Sequence, residues 1–169
     1  MLAGEGLPFD PIEEAERQWN DRGWHDAAPG MAVVTSVMRV QQLFLASVDA
    51  ILRPHKLTFA RYEVLMLLLF SRSGSLPPSK IGQRLQVHAA SVTNAVNRLE
   101  QQGLVERLPH PSDGRATLAR ITPRGRQVAT RATDDLNAKA FSSTGLTTPE
   151  LKALFVGLRK LRRAAGDFD

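Results

Sequence analysis

Apolar positions along the chain recur mostly at spacings of three and four, and the breaks between them carry helix-start signals. Asp10-Pro11 sets a capping aspartate before a proline at the first helical position. Ile12, Ala15 and Trp19 then form one stripe, which predicts a short acidic helix to about Asp21. Trp24 follows, and Pro29-Gly30 is expected to break the chain. Val34, Val37, Met38, Gln41, Phe44, Leu45, Val48, Ile51 and Leu52 predict a long helix over Met31 to Pro54, buried on much of its circumference. A second helix is expected from a Thr58 cap to about Arg72, with Leu57 and Tyr62 at staple spacing. Its middle, Val64 to Phe70, is apolar all round, which predicts the central helix of the fold.

The stretch Ser79 to Arg124 has a different rhythm. Ser79 to Leu85 reads as a short helix, Gln86-Val87-His88 as a tight turn, and Ala89 to Gln102 as a second helix stopped by Gly103. Leu104 to Leu108, a turn from Pro109 to Gly114, and Arg115 to Ile121 read as strand, turn, strand. A helix pair followed by a basic hairpin is a winged helix-turn-helix, a unit suited to duplex DNA. Thr122-Pro123 starts a further helix to about Ser142, with a thin apolar seam. Thr148-Pro149-Glu150 starts the last one, with Leu151, Leu154, Phe155, Leu158 and Leu161 as its stripe. The expected class is mainly α, with a two-stranded β wing and terminal helices forming a dimerisation region. The expected divisions are an N-terminal extension (1–30), a dimerisation and core helix (31–57), the winged helix (58–124) and C-terminal dimerisation helices (125–169).

Charge sharpens this reading. The net charge of +5 is unevenly spread: residues 72–131 carry ten basic and three acidic side chains, whereas residues 1–30 carry two and seven. A local basic excess is the footprint of a polyanion partner, although a solvated surface would look similar. There is no cysteine, so disulfides and thiolate metal sites are excluded. No apolar run approaches 18 residues and the acidic N-terminus lacks signal-peptide features, so a cytoplasmic, nucleoid-associated protein with no membrane partner is expected.

On the second helix of the unit, Val92, Val96 and Leu99 share one face, with Ala95 beside them. Ala90, Ser91, Asn94, Asn97, Arg98 and Gln101 fall on or near the other. Amides can read adenine edges, arginine guanine, and hydroxyls phosphates or bases. Ser79 and Lys80 on the first helix, His88 at the start of the second and Thr93 join the expected DNA-contacting set. In the hairpin, Arg107 and Arg115 supply cations, and Asp113 can brace Arg115 so that it projects from the tip toward a minor groove. His25, His55, His88 and His110 show no metal spacing, and there is no phosphate loop, nucleophile elbow or paired-carboxylate motif. Neither an enzyme nor a metal or cofactor is therefore expected.

Several segments together resemble the MarR family of bacterial transcription regulators over about Met31 to Asp169: "LTFARYEVLMLLL", "PPSKIGQRLQV", "ASVTNAVNRLEQQGLVER" and "PSDGRATLARITPRG". The resemblance implies a homodimer with intertwined terminal helices and two winged helices on successive major grooves of a pseudopalindromic operator. It matches residue by residue at Ser91, Thr93, Asn94, Arg98, Asp113 and Arg115. It also implies a repressor released by a small anionic or phenolic ligand held between the dimerisation helices and the DNA-binding lobe. Trp19, Arg39, His55, Arg61, Tyr62 and Glu63 are the candidates for that site; the competing role for them is surface or interhelical pairing, and for Trp19 packing onto the core or a partner subunit. The chain departs from the family in having Asn94 where arginine is frequent and Gln86 where glycine is common, a position that favours φ > 0. The competing function is a non-specific architectural DNA-binding protein, which the amide-rich face argues against.

Overall fold

The computed structural model describes residues 6–110 and 113–169, with side chains described outside 110–116. Helix α1 (Pro11–Asp21) is capped by Asp10, whose carboxylate accepts the Ile12 N–H at 2.8 Å. It packs on α2 (Ala28–Leu52). Pro29-Gly30 does not break the chain as expected. The helix opens at Ala28 and Pro29 sits in its first turn, where a missing N–H removes no intrahelical bond. A 3-10 turn (Arg53–His55) ends at Lys56, which is left-handed at φ 58°. Helix α3 (Phe59–Phe70) follows. Thr58 holds its cap position, yet the capping oxygen comes from α2: Asp49 Oδ1 accepts the Phe59 N–H at 2.8 Å.

A two-residue strand β1 (Ser75–Leu76) leads into α4 (Pro78–Leu85) and α5 (Ala89–Gln101). Strands β2 (Val105–His110) and β3 (Asp113–Ile121) form the wing, with the order β1-β3-β2, all antiparallel. The wing sheet thus has three strands rather than the expected two. The third is too short to leave a pattern in the sequence. Helix α6 (Pro123–Leu136) starts as expected, with Thr122 Oγ1 accepting the Gly125 N–H at 3.0 Å, but widens into a π turn (Asn137–Phe141) before Ser142. Helix α7 (Thr148–Ala164) begins one residue from the expected cap: Thr147, not Thr148, forms the reciprocal capping box with Glu150.

The core gathers Val64, Leu65 and Leu68 of α3, Ile81 of α4, Val92, Val96 and Leu99 of α5, Val105, Ala119 and Ile121 of the sheet, and Ala129, Ala132 and Leu136 of α6. Helix α3 is central as expected, except that Phe70 at its end is 77% exposed. The main departure concerns α2. Only Ala28, Val48 and Leu52 of this helix are buried, while Val34, Met38 (60% exposed) and Phe44 (57%) face outward. Its periodic pattern is real, but among the described residues nothing covers most of the stripe. Contrary to the reading from run length, the helical stretch Ala28–His55 is, by length and composition alone, long and apolar enough to cross a membrane. The apolar stripe of α7 is likewise open, with Phe155 61% exposed.

Candidate nucleic-acid interface

The turn between α4 and α5 is set by Gln86, at φ 54° and ψ 42°. The left-handed conformation expected there is present, and it costs a residue bearing Cβ about 1–2 kcal/mol. The reversal lets Ile81 of α4 and Val92, Val96 and Leu99 of α5 enter one core, which fixes the rotation of α5 about its axis. Ala90, Ser91, Thr93, Asn94, Arg98 and Gln101 then lie exposed. Thr93 Oγ1 bonds back to the Ala89 carbonyl at 3.0 Å, and Arg98 donates to Gln101 at 3.3 Å. His88 occupies the cap position of α5 but makes no side-chain cap bond. Its carbonyl accepts from Ser91 and Val92, and the Ala89 and Ala90 N–H groups have no acceptor among the described residues. Two backbone donors and the positive end of a 13-residue helix therefore open outward beside an exposed imidazole. Ser79 and Lys80 are exposed on the first turn of α4, near the same turn in sequence.

Arg107 is not a free cation. From β2 its guanidinium donates to Asn97 and pairs with Glu100, both on α5. These bonds brace the wing against α5 and occupy two residues expected to meet DNA. The sequence does not single out Glu100, because its partner lies on another element seven residues away. Across the sheet, Arg120 pairs with Glu106 at 2.8 Å, directly opposite in register. Lys80, Arg84 and Arg98 carry no ion pair among the described residues. The side chains of His110, Asp113 and Arg115 lie outside the described residues.

The candidate ligand residues are not brought into one cavity. Trp19 stands edge-on to Trp24, ring centroids 5.2 Å apart, and both line an open apolar hollow with Gly23, Asp26 and Ala27. Arg39 is exposed on α2 and donates to Gln42 at 3.4 Å. His55 Nε2 lies 2.7 Å from Asp135 Oδ2, and the Tyr62 hydroxyl 2.9 Å from Thr133 Oγ1, so both tie the region before and within α3 to α6. The carboxyl of Asp135 is held below its ordinary range by the hydrogen bond from Lys139 and then by that to His55. Arg61 lines a separate shallow groove with Asp49, Arg53, Lys56, Leu57 and Thr58.

Glu63 is half-buried on α3, and burial raises its carboxyl above the usual glutamate range. Among the described residues it has no hydrogen-bond partner. A raised folded-state value means that the folded protein holds the proton more tightly than the unfolded chain. Stability is therefore lost as pH climbs above about 4.3, the ordinary glutamate value, through the folded one. Glu63→Gln should melt at a higher temperature than the parent at pH 7 and at the same temperature near pH 4. Paired thermal melts at the two values measure this; a parent that melts higher at pH 7 would show that the charged form has a partner.

A model of the MarR family matches residues 57–117. The HTH-type transcriptional regulator BilQ of Clostridioides difficile (strain CD3) is 32% identical over 92 residues, covering 54% of this chain and 61% of its own, so this chain spans about three fifths of that regulator. Among solved structures, Sco5413, a MarR family transcriptional regulator from Streptomyces coelicolor, has 55% identity and a TM-score of 0.76, covering 83% of this chain and 98% of its own. Sco3205, a MarR family transcriptional regulator from the same organism solved in complex with DNA, has 25% identity and a TM-score of 0.69, covering 78% of this chain and 84% of its own.

Proposed function

The chain belongs to the MarR family of transcriptional regulators, and from that premise we propose that it is a homodimeric, sequence-specific DNA-binding repressor acting at a pseudopalindromic operator. The observation that carries the reading is the outer face of α5: hydroxyls, amides and Arg98 exposed without an acid among them, beginning at an open helix N-terminus and braced to a basic wing. Ser91, Thr93, Asn94 and Arg98 are the base- and phosphate-contacting set. Ser79, Lys80 and His88 add phosphate contacts, and Asp113 and Arg115 of the wing join the set on their sequence match to the family. Asn97 and Arg107 act mainly by holding wing and helix together. The open apolar faces of α2 and α7 support the dimer, with residues 31–57 and 125–169 as its seat and 58–124 as the reader.

A small anionic or phenolic effector lowers DNA affinity by binding one spacing of the two readers better than the other. The Arg61 groove is the candidate for an anion: Arg53, Lys56 and Arg61 line it at the junction of α2 and α3, beside Asp49, whose carboxylate accepts the Phe59 N–H. Selection of duplexes from a random pool tests the function. Two inverted half-sites, centred about one helical turn apart, are expected. Asn94→Ala should weaken binding to the selected duplex by about tenfold and relax one position in each half-site. Binding without any enriched sequence would replace this reading with the architectural one. A protein that binds no duplex at low salt would sink both.

A further inference from the structure

A second cationic feature lies outside the winged unit. Helix α7 ends in Arg159, Lys160, Arg162 and Arg163, followed by Ala164-Ala165-Gly166-Asp167-Phe168-Asp169. Gly166 reverses the chain at φ 75°. Its N–H donates to the Arg163 carbonyl at 3.0 Å and the Asp167 N–H to that of Arg162 at 3.1 Å, the two bonds of a Schellman ending. The reversal lays Phe168 back on the helix. Arg159, Arg162 and Arg163 stand at i, i+3 and i+4, on one face. Their guanidinium carbons lie 5.3, 5.3 and 5.5 Å from the Phe168 ring centroid. Arg162 donates to Asp167 at 2.6 Å, and Arg163 to the Asp169 backbone oxygen at 3.2 Å. Cation–π contact leaves the charge intact while limiting side-chain freedom, so these cations lose less entropy on meeting an anion.

This platform touches the helix-turn-helix. Gln86 Nε2 donates to the Asp167 carbonyl at 2.7 Å, across 81 positions of sequence. Gln86 is the left-handed residue of the turn, a conformation that glycine adopts without strain. Glycine there would relieve the backbone and forfeit the amide. The long side chain at a strained position thus has a structural use: it moors the end of α7 beside the turn that precedes His88 and the open first turn of α5. Asp167 engages Arg162 and Arg163 holds the Asp169 backbone oxygen, whereas Arg159 and Lys160 have no carboxylate partner among the described residues.

We propose that the Phe168-centred arginine platform is an auxiliary phosphate-binding surface, setting Arg159, Lys160 and Arg163 against the DNA backbone flanking the recognition helix. The inference rests on α5 being the DNA reader. Phosphate contacts add affinity and salt sensitivity but carry no sequence information directly. That separates the platform from the Asn94 face in any binding experiment.

The test measures duplex affinity against salt for the full-length protein, using a duplex selected by the parent from a random pool and a mixed-sequence duplex of equal length. The Arg159→Gln/Arg163→Gln double variant should lower the slope of log K against log salt by about 0.9 for each phosphate that is no longer neutralised. It should weaken binding at 0.1 M salt by roughly fivefold per phosphate on both duplexes, with the enriched sequence and the thermal midpoint unchanged. Gln86→Gly should fold at least as stably as the parent and lose part of the same slope, because the platform is intact but no longer moored. A double variant with the parental slope and affinity would overturn the proposal while leaving the DNA reader in place. A changed consensus with an unchanged slope would overturn it too, by making the platform a base reader. Gln86→Gly with the full parental slope would remove the mooring role. A parent that binds neither duplex would refute the DNA reader itself, and the platform's role with it.

Discussion

A Gly125→Ala variant is expected to lose about 3 kcal/mol of stability, the upper part of the range for overpacking a filled site. For a chain of this size the thermal midpoint should fall by roughly 6–12 °C. Gly125 sits in the first turn of α6, where the chain leaves the wing and passes directly over Leu104, the residue before β2. A Cβ there would lie 2.1 Å from the Leu104 carbonyl oxygen and 2.8 Å from Ile121 Cγ1. The oxygen cannot easily withdraw, since it accepts the Thr122 N–H at 3.0 Å. Moving α6 outward instead would pull Ala129 and Ala132 from the core. Calorimetry or a circular-dichroism melt reads the effect, and an unchanged midpoint would show that the junction has room to spare.

On the dimer reading, Phe44→Glu should shift the protein from dimer to monomer at micromolar concentration and reduce affinity for a two-half-site duplex at least a hundredfold. Phe44 is 57% exposed on α2, on the same open helix surface as Val37, Met38 and Leu45. A carboxylate buried there without a partner would have to be desolvated in each subunit, at a cost of several kcal/mol. Loss of the second reader then removes the gain from binding two linked half-sites at once. Light scattering coupled to size exclusion distinguishes the states. A Phe44→Glu protein that remains dimeric would place the subunit interface elsewhere, with α7 the next surface to change.

Much of the fold is legible in the sequence because its signals are local. Asp10-Pro11 and Thr122-Pro123 each start a helix where a capping oxygen precedes a proline, and each is capped by that residue. Gln86 is expected at positive φ because glycine is common at its place in the family the chain resembles, and it stands at φ 54°. The signals fail where a partner is distant in sequence. Thr58 reads as a sufficient cap, yet Asp49 supplies the oxygen from α2. Arg107 reads as a phosphate ligand, because nothing in a hairpin reveals that Asn97 and Glu100 stand behind it. The stripe on α2 is apolar as its pattern says, but periodicity cannot tell burial within a chain from burial between chains. The Phe168 platform leaves a faint signal, three arginines at helical spacing before glycine and an aromatic, which only the chain reversal turns into one surface.

Helix α6 is joined to its neighbours at two levels, by Thr133 to Tyr62 of α3 and by Asp135 to His55 of the 3-10 turn that follows α2. The start of α6 is fastened to the end of α5, with Thr122 Oγ1 donating to the Gly103 carbonyl at 2.8 Å, and Gln102 Nε2 holds the Lys56 carbonyl at 3.1 Å. Among the described residues, these bonds fasten the winged unit to α6 and to the turn that follows α2. On the proposed reading, a shift at the base of α6 would reach α5 as a displacement of the whole winged unit, with its DNA-facing side unaltered. On the dimer reading, such a protein would answer an effector by mis-spacing two intact readers: its ruler would change length while its alphabet stayed the same.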